Sequence, residues 1–348
     1  MTGQALLLAP SRGLGGGIER YAETLEWAFA ARGVVCRRLD LQQAGMPAHV
    51  RMVAQGRRFL RAAGEPTRVV AVHRALLPVA CLLARESQVS GISIVCHGGE
   101  VWGKGGLRRY VENRLMRRAD VRVVTASSFT AGVLSPFSPA TVLTPGLSEQ
   151  WFRTLTEASA VAEPQHSGLR IVTAFRLREW RSKGLPQLLE AVASLRRSDV
   201  HVTVCGSGSA PPELLRLAAE YRHCTLRSEL TDRELAHELA AADLFVLATR
   251  TRMSRMPCGE GFGLVLLEAQ VAGTGVVAPA YGGSHDAFVD RVTGRAPADE
   301  TTEALATLLG GLLEEPGRLA QLGKRAAEWS RECFAPDCYA ARVVTRLL

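Results

Sequence analysis

Two glutamates, Glu260 and Glu268, stand eight positions apart and bracket a glycine loop and an apolar run, Leu264 to Ala269. The run predicts a buried helix that starts after Gly263, and a glycine there lets the backbone approach a bulky anion. A helix N-terminus offers unpaired N–H groups and the positive end of the helix dipole, which suit a diphosphate. Glu260 can accept a hydrogen bond from a sugar hydroxyl, and Glu268, about two turns on, from a ribose diol. The pattern indicates a nucleotide-sugar site; a buried amphipathic helix with two incidental acids is the alternative.

A second glycine loop, Gly13 to Gly17, lies near the start of the chain. An apolar strand precedes this loop at residues 5–10, and residues 18–25 open a helix. Strand, glycine loop and helix make the first half of a Rossmann-like unit, although the full GxGxxG fingerprint of dinucleotide binding is absent. We expect Gly16 and Gly17 to let a substrate approach the backbone; a flexible loop without a ligand is the alternative.

Histidines follow two of the predicted strands. His73 ends the strand at residues 69–72, and His97 comes directly after the strand at 92–96, with two glycines and Glu100 behind it. Open α/β sheets bind their ligands outside the carboxyl ends of parallel strands. His97 is therefore the stronger candidate for a functional residue, while a structural hydrogen-bonding role is open to both histidines.

Strands and helices alternate through two successive α/β units. Residues 153–168 lose this periodicity and gain small and polar residues, which predicts a linker. The predicted domains are therefore residues 1–152 and 169–330, with a cleft between them. A helix at 331–348 is predicted to pack back on the N-terminal domain.

The composition excludes several classes of protein. The chain has 348 residues, of which 47% are apolar, enough for two domains with cores of their own. No apolar run reaches the eighteen or so residues of a membrane span, and the N-terminus lacks the basic lead of a signal peptide. The eight cysteines form no CxxC pair, which argues against a zinc site or a disulfide framework. We therefore expect a cytoplasmic protein.

The net charge of +8 falls on the first domain. Residues 1–152 hold 19 Arg and Lys against 10 Asp and Glu, and the rest of the chain is nearly neutral. Two basic stretches, 48–63 and 104–120, are predicted helices, and the first could rest on anionic lipid at the inner face of a membrane. Solvated helix faces are the more ordinary interpretation. Few aromatic residues accompany the basic ones and no recognition module is present, so we expect no nucleic-acid partner.

Together these motifs resemble the retaining glycosyltransferases of family 4, over nearly the whole chain. Glu260 and Glu268 match the E-x7-E motif in its EGFG form, Gly16-Gly17-Ile18 looks like the N-terminal GG loop, and His97 matches the histidine after an N-domain strand. The resemblance implies an α/β, GT-B fold of two Rossmann-like domains that face each other across a cleft. The remaining matches are Pro145-Gly146 with Trp151-Phe152, Gly282-Gly283 with Asp286 in place of the usual Glu, and Trp180 with Lys183 to Pro186, which resembles actinobacterial members.

One stretch departs from the family pattern. The family usually has Gly-Arg, then Lys-Gly five residues after the Arg, whereas here Phe175 takes the Gly position and Lys183 comes seven residues after Arg176. Arg178 has the usual five-residue spacing to Lys183. The position directly after a predicted strand favours Arg176 as the diphosphate ligand, with Arg178 as the rival.

The resemblance implies transfer of a sugar from a nucleotide diphosphate donor with retention of anomeric configuration. Arg176 and Lys183 would supply cations at the leaving β-phosphate, where fixed charges lower the barrier. Glu260 would bond a hydroxyl of the donor sugar, and His97 would lie beside the sugar ring near C6. With two cations in place, no metal or other cofactor is expected. The diphosphate and ribose would be held by Gly16, Gly17, Gly261, Phe262, Gly263, Leu264, Val265 and Glu268.

The nucleotide base and the acceptor are left open. UDP is slightly preferred over GDP, and the acceptor hydroxyl belongs either to a small molecule in natural-product assembly, for example of aminoglycoside type, or to a lipid-linked intermediate of the cell envelope. A nucleotide-sugar 2-epimerase shares the architecture, but it would need further acid and base carboxylates. A non-catalytic nucleotide-sugar binder is the third interpretation, which the intact Glu260, Lys183 and Glu268 disfavour.

Overall fold

The computed structural model describes residues 3–10, 16–43, 45–102, 106–162, 168–252 and 258–348. These residues form two compact units, Met1–Ser148 with Pro336–Leu348, and Glu149–Arg252 with Cys258–Ala335. Each unit contains one parallel sheet of six strands with helices packed on it. The predicted α/β architecture with two Rossmann-like sheets is therefore confirmed.

The first unit has the strand order β2-β1-β3-β4-β5-β6, with every neighbouring pair parallel. Its strands are Gln4–Ala9 (β1), Val35–Asp40 (β2), Thr67–Ala71 (β3), Val89–Cys96 (β4), Val121–Thr125 (β5) and Thr141–Val142 (β6). Its helices up to residue 148 are Gly17–Ala31 (α1), Met46–Ala62 (α2), Leu77–Leu83 (α3), Leu107–Met116 (α4) and Ser128–Leu134 (α5).

The inner strands of this sheet are apolar on both faces. Leu6 and Leu8 of β1 belong to one apolar core, whereas Leu7 and Ala9 belong to a second core on the opposite face. Successive side chains of a strand point to opposite faces, so a sheet covered by helices on both sides needs nearly continuous apolar strands. This is why the sequence pattern located these strands well.

The second unit has the strand order β12-β11-β10-β7-β8-β9, again all parallel. Its strands are Leu169–Arg176 (β7), Val200–Ser207 (β8), Cys224–Ser228 (β9), Leu244–Val246 (β10), Val276–Val277 (β11) and Gly294–Arg295 (β12). Its helices are Glu149–Val161 (α6), Leu185–Ser194 (α7), Pro212–Glu220 (α8), Asp232–Ala240 (α9), Leu264–Val271 (α10), Thr302–Leu313 (α11) and Pro316–Cys333 (α12).

The strand order of the second sheet reverses beside β7. This first strand of the unit lies between β10 on one side and β8 on the other. Ligands of open α/β sheets bind outside the carboxyl ends of the strands at such a switch point. Arg176 is the last residue of β7 and Ala248 follows β10 closely, so both mark the edge of the sheet where a ligand is expected.

The last helix, Pro336–Leu347 (α13), packs against α1 of the first unit. Tyr339 lies in the same apolar core as Tyr21 of α1. Gly146 allows the ring of Tyr339 to approach, because a Cβ on Gly146 would lie 2.4 Å from Cγ of Tyr339. Residues 331–333, which the sequence analysis joined to this helix, instead continue α12.

The predicted linker at residues 153–168 differs from the structure in its first part. Helix α6 runs to Val161 and packs on α9 and α10, with Trp151, Leu155 and Ala158 buried. These apolar positions have helical spacing, but the small and polar residues among them hid the period from the sequence analysis. Residues 163–167 of the predicted linker lie outside the described residues.

Other elements were shorter than predicted or were missed. The basic helix expected at 104–120 is the shorter α4, and residues 103–105 lie outside the described part of the chain. Helix α3 was not predicted, because it is apolar throughout and has no amphipathic period, and α8 and β9 were not predicted either. No helix within the described ranges combines the length and apolar character that a bilayer-spanning helix needs.

Candidate functional site

Lys183 reaches the carboxyl end of β10 because the glycine after it lets two backbone segments touch. Gly184 precedes α7 with a φ of +72°, in the left-handed region that favours glycine. A Cβ on Gly184 would lie 1.9 Å from the carbonyl oxygen of Ala248. The Lys-Gly pair is therefore fixed at the switch point of the sheet.

Lys183 and Glu260 form an ion pair at this edge. Nζ of Lys183 lies 2.8 Å from Oε2 of Glu260, and the two side chains are 22% and 14% exposed. Burial alone would lower the pKa of Lys183, but Glu260, and more weakly Glu179, raise that pKa above its usual value. The lysine is therefore a fixed positive charge at neutral pH. The fold has brought together two predicted site residues that are 77 positions apart in sequence.

Arg176 and Arg178 differ in their surroundings. Arg176 ends β7, its side chain is 25% exposed, and its Nη1 lies 3.4 Å from Oε1 of Glu179. Arg178 is 55% exposed, with its Nε 4.0 Å from the same oxygen. Arg176 also acts electrostatically on Lys183 and works against the rise of the lysine pKa. Glu179 thus holds Arg176 near Lys183, whereas Arg178 points more toward solvent.

The N-terminus of α10 lies directly after Glu260. Gly263 precedes the helix with a φ of +80°, and a Cβ there would lie 2.8 Å from Cδ1 of Leu266 and 3.3 Å from Cγ of Glu260. Because its N-cap residue is this glycine, the helix has no N-cap side chain to bond its first N–H groups. The N–H groups of Leu264 and Val265 lie in the first turn, where α-helix geometry supplies no acceptor from within the helix. These groups can bind an anion beside Glu260.

The two residues between Glu260 and Gly263 have different environments. Gly261 is partly buried. Phe262 is 4% exposed, and its ring packs against Phe334 with centroids 6.3 Å apart. The phenylalanine therefore anchors the glycine loop in the apolar core of the second unit.

Glu268 lies within α10 and is almost fully buried. Its Oε1 accepts a hydrogen bond of 2.9 Å from the indole Nε1 of Trp151 on α6. A carboxylate can accept several hydrogen bonds, so this contact orients Glu268 and is compatible with the predicted bond to a ribose. The ribose contact itself stays a prediction.

A second glycine pair supports Glu260 from the other side. The N–H of Gly283 donates to the carbonyl oxygen of Glu260 at 2.8 Å. Gly282 has a φ of +113°, and a Cβ on it would lie 3.0 Å from the same oxygen. Asp286, which stands where the family has Glu, ends the short 3₁₀ turn that follows. The Gly-Gly loop therefore fixes the backbone position of Glu260.

In the first unit, Gly16 and Gly17 stand at the N-terminus of α1. A Cβ on Gly17 would meet no atom of the described residues within 4 Å, so none of them fills the space beside this glycine. Tyr21, about one turn on, packs edge-on against His97 with ring centroids 4.9 Å apart. The structure therefore brings the glycine pair and His97 to the same edge of the first sheet. Residues 11–15 of the predicted glycine loop lie outside the described residues.

The ring of His97 is held by the backbone. Its Nε2 lies 2.7 Å from the carbonyl oxygen of Val72, so Nε2 donates and the neutral ring has its acceptor at Nδ1. The backbone N–H of His97 donates to Oε1 of Glu100. Glu100, noted in the sequence as a polar neighbour, thus holds the histidine backbone in place.

Three supporting residues escaped the sequence analysis as functional candidates. Trp151 orients Glu268, Glu179 pairs with Arg176, and Tyr21 packs on His97. Signals existed for Glu179, the acid next to two competing arginines, and for Trp151, which belongs to a segment that matches the family. The contacts of Trp151 and Tyr21 join elements that are far apart in sequence. Among the described residues, no group of three or more His, Cys, Asp or Glu is arranged to hold a metal ion.

The second unit matches a known protein family. The family model for glycosyl transferases group 1 matches residues 156–329, which include Arg176, Lys183, Glu260 and Glu268. This range covers most of the second unit.

Two kinds of curated relative share sequence with most of the chain. A GDP-mannose-dependent alpha-(1-6)-phosphatidylinositol monomannoside mannosyltransferase of Mycolicibacterium smegmatis is 30% identical over 268 residues, which cover 74% of this chain and 70% of the relative. A D-inositol 3-phosphate glycosyltransferase of Corynebacterium aurimucosum is 28% identical over 274 residues, 68% of this chain and 63% of the relative.

Solved structures with the same fold cover almost all of the chain. Sucrose-phosphate synthase of Thermosynechococcus elongatus superposes with a TM-score of 0.79 at 20% identity, over 99% of this chain and 98% of that chain. Anabaena HepE in complex with UDP and glucose superposes with a TM-score of 0.75 at 16% identity, over 99% of both chains. At these identities the likeness concerns the fold, and the predicted GT-B fold is confirmed.

Proposed function

The chain belongs to the glycosyl transferases group 1 family, and from this premise we propose that it is a retaining hexosyltransferase of family 4 that uses a nucleotide diphosphate-sugar. The observation that carries the proposal is the ion pair of Lys183 and Glu260 beside the open N-terminus of α10. A cation, backbone N–H groups and a carboxylate at one point suit the diphosphate and the sugar of a single donor.

We assign the diphosphate to Lys183, Arg176 and the first N–H groups of α10. Rupture of the glycosyl–phosphate bond builds negative charge on the β-phosphate, and fixed cations at that position lower the barrier. Arg176 is preferred over Arg178 because it is less exposed and Glu179 holds it near Lys183. Because these side chains supply the positive charge, we propose that the reaction needs no metal ion.

Glu260 has two successive partners in this proposal. Without ligand its carboxylate pairs with Lys183. When the diphosphate takes over the ammonium, Glu260 accepts a hydrogen bond from a hydroxyl of the donor sugar. Glu268, oriented by Trp151, accepts from the ribose. His97 is assigned to the sugar near C6 on the resemblance to family 4, and Gly16 and Gly17 to the substrate side of the first unit.

The chemical step exchanges one bond at the anomeric carbon. The bond from this carbon to the β-phosphate oxygen breaks, and a bond to the acceptor oxygen forms on the same face. The acceptor proton passes to the leaving phosphate, so no side chain serves as nucleophile. Lys183 stays protonated throughout, in agreement with the raised pKa of its ammonium.

For the donor base we propose GDP as the first candidate and UDP as the competitor. The sequence motifs slightly favoured UDP, but the relative with 30% identity over most of the chain is named as a GDP-mannose-dependent enzyme. The UDP-bound relatives resemble this chain in fold at 16% identity. GDP-mannose is therefore the donor to compare with UDP-sugars.

For the acceptor we propose a polyhydroxylated ring of the cyclitol class, either free or attached to a lipid. The names of both relatives contain an inositol, once within a phospholipid and once as a phosphate ester. The aminocyclitols of natural products belong to the same chemical class. If the acceptor is lipid-linked, the basic helix α2, which exposes Met46 and Val50, is a candidate for peripheral contact with an anionic membrane.

The test is a thermal-shift panel followed by a turnover assay. Purified protein is heated with GDP, UDP, GDP-mannose and common UDP-sugars, each with and without EDTA. A ligand that binds only the native state raises the midpoint by mass action. We expect one nucleotide-sugar to raise the midpoint equally in EDTA, and that donor to be consumed when cyclitol acceptors are added.

The outcome separates the competing functions. No shift with any nucleotide contradicts the donor site at Lys183, Glu260 and Glu268. Binding without donor consumption in the acceptor screen favours a nucleotide-sugar binder, and a changed sugar on the recovered nucleotide reveals an epimerase. A shift that EDTA abolishes contradicts the metal-free proposal alone.

A further inference from the structure

The chain makes an excursion between β10 and Glu260 that the proposed donor site does not use. Arg252 and Cys258 pair as an antiparallel bridge, with N–H to carbonyl distances of 2.8 Å and 3.1 Å. The residues between them lie outside the described part of the chain. The outgoing arm of the bridge holds Arg250 and Arg252, and the return arm leads directly into Glu260.

The outgoing arm is fixed against the loop that supports Glu260. The hydroxyl of Thr251 donates to the carbonyl oxygen of Tyr281 at 3.1 Å. A Cβ on Gly282 would lie 3.3 Å from Oγ1 of Thr251 and 3.0 Å from the carbonyl oxygen of Glu260. The arm and the backbone of Glu260 therefore contact the same glycine, which gives both arginines a defined place beside the proposed sugar position.

Neither arginine forms an ion pair with an acid among the residues that the structure describes; the carboxylate at this arm, Glu300, accepts instead from the backbone N–H of Thr251 at 2.6 Å. Nε of Arg250 is buried and meets no hydrogen-bond acceptor there, and Arg252 is exposed. A buried donor without a partner is costly, and the cost disappears when an anion binds. Guanidinium groups bind phosphate through paired N–H donors. The pair therefore has the chemistry of a phosphate site.

The distances place this site near Glu260 and so near the proposed position of the donor sugar. Consecutive residues span at most about 3.6 Å each, so the Cα atoms of Cys258 and Glu260 are within about 7 Å. The Cα atoms of paired residues in an antiparallel bridge are about 5 Å apart, so the Cα of Arg252 lies within about 12 Å of the Cα of Glu260. The attacking hydroxyl must reach the sugar that Glu260 holds, and the donor diphosphate already has Lys183 and Arg176.

We propose that Arg250 and Arg252 form a subsite for a phosphate group carried by the acceptor. The inference rests on the proposed function, because Glu260 marks the donor sugar only if that function holds. It narrows the acceptor class from any cyclitol to one that bears a phosphate ester or diester.

The experiment compares the wild type with Arg250→Gln/Arg252→Gln and with the exposed Arg252→Gln alone. Arg216→Gln is the matched control, since its side chain is 74% exposed and its helix, α8, belongs to neither arm of the bridge. Each protein is first saturated with whichever of GDP or UDP it binds, so that the diphosphate site is filled. Binding of D-inositol 3-phosphate, inorganic phosphate and inositol is then measured by thermal shift.

We expect the wild type and the Arg216→Gln control to bind the two phosphate probes and to bind inositol more weakly. The double variant should lose about tenfold or more in phosphate affinity, as expected for lost charge-assisted hydrogen bonds, with unchanged affinity for the nucleoside diphosphate. Arg252→Gln should show part of this loss.

Two results would overturn the inference. One is that the wild type and the double variant bind the two phosphate probes with equal affinity, or that neither protein binds them. The other is a loss of nucleoside diphosphate affinity in the double variant, which would place the arginines in the donor site. Failure of the proposed function is distinguishable, because it appears earlier as an absence of GDP and UDP binding in the wild type.

Discussion

Replacing Gly184 by alanine should move Lys183 out of place and destabilise the second unit. Alanine at a φ of +72° costs about 1–2 kcal/mol, because its Cβ crowds the backbone in the left-handed region. The new Cβ would also lie 1.9 Å from the carbonyl oxygen of Ala248. This backbone atom cannot rotate away, so a further cost of about 1–3 kcal/mol is expected from overpacking.

Gly33→Ala is a matched control for the backbone cost. Gly33 has a φ of +69°, nearly equal to that of Gly184, but a Cβ there meets no atom of the described residues within 4 Å. Both variants should be destabilised by the cost of the left-handed conformation. Only Gly184→Ala should be destabilised further, by the close contact of its new Cβ with Ala248. Chemical denaturation measures both losses, and calorimetric titration with GDP or UDP measures the effect on the site.

We expect Gly184→Ala to lose at least about 1 kcal/mol more than the control and to bind the nucleoside diphosphate at least tenfold more weakly. Gly33→Ala should bind it as the wild type does. Equal losses of stability in the two variants would refute the argument that the contact with Ala248 positions the Lys-Gly pair. Unchanged nucleotide binding in Gly184→Ala would refute the role of that contact in the donor site.

Three further results are expected. Glu260→Gln should lower turnover about 100-fold or more, whereas GDP or UDP should bind as tightly as to the wild type or up to about tenfold tighter, because Lys183 loses its competing partner. A turnover assay and calorimetric titration measure the two effects. A parallel loss of turnover and of nucleotide affinity would contradict this prediction. Trp151→Phe should lower the free energy of unfolding by about 1–3 kcal/mol because the buried Glu268 loses the indole donor, as urea denaturation would show; a variant as stable as the wild type would count against that bond. The folded pKa of Lys183 is raised, so its contribution to stability is complete below the ordinary lysine pKa of about 10.4 and is lost as the pH rises through the folded value. The stability difference between wild type and Lys183→Met should therefore stay constant from pH 7 to about 10 and shrink above that; a difference that shrinks near neutral pH would contradict this.

The parts of the fold that follow from local pattern were predictable. The apolar strands predicted at 5–10, 69–72 and 92–96 lie within a few residues of β1, β3 and β4, because strands buried on both faces must be apolar throughout. The capping box of Thr231 and Glu234 at the start of α9 is likewise a local feature, because its two residues stand three positions apart in the sequence. Helix α6 was mistaken for a linker, because small and polar residues separate its few buried side chains.

The candidate site was predictable as a set of residue types, but its contacts were not. The spacing of Glu260 and Glu268 and the Lys-Gly pair identified the second unit as the donor side. The pairing of Lys183 with Glu260 depends on how β7, β10 and α10 meet, which no local pattern encodes. The same holds for Trp151 and Glu268, which lie on different helices. The irregular spacing after β7 left both Arg176 and Arg178 as candidates for the diphosphate ligand, and their different burial in the folded chain distinguishes them.

Helix α10 limits the insertions and deletions that the protein can tolerate. Leu264 and Glu268 lie on one rigid helix, so the rise between them is fixed at about 6 Å. Adding or deleting one residue inside this interval would rotate Glu268 by about 100° around the helix axis and away from Trp151. Upstream of this interval, the backbone of Glu260 is held by the bridge between Arg252 and Cys258 and by the hydrogen bond from Gly283. Natural length variation should therefore be absent from the interval between Leu264 and Glu268.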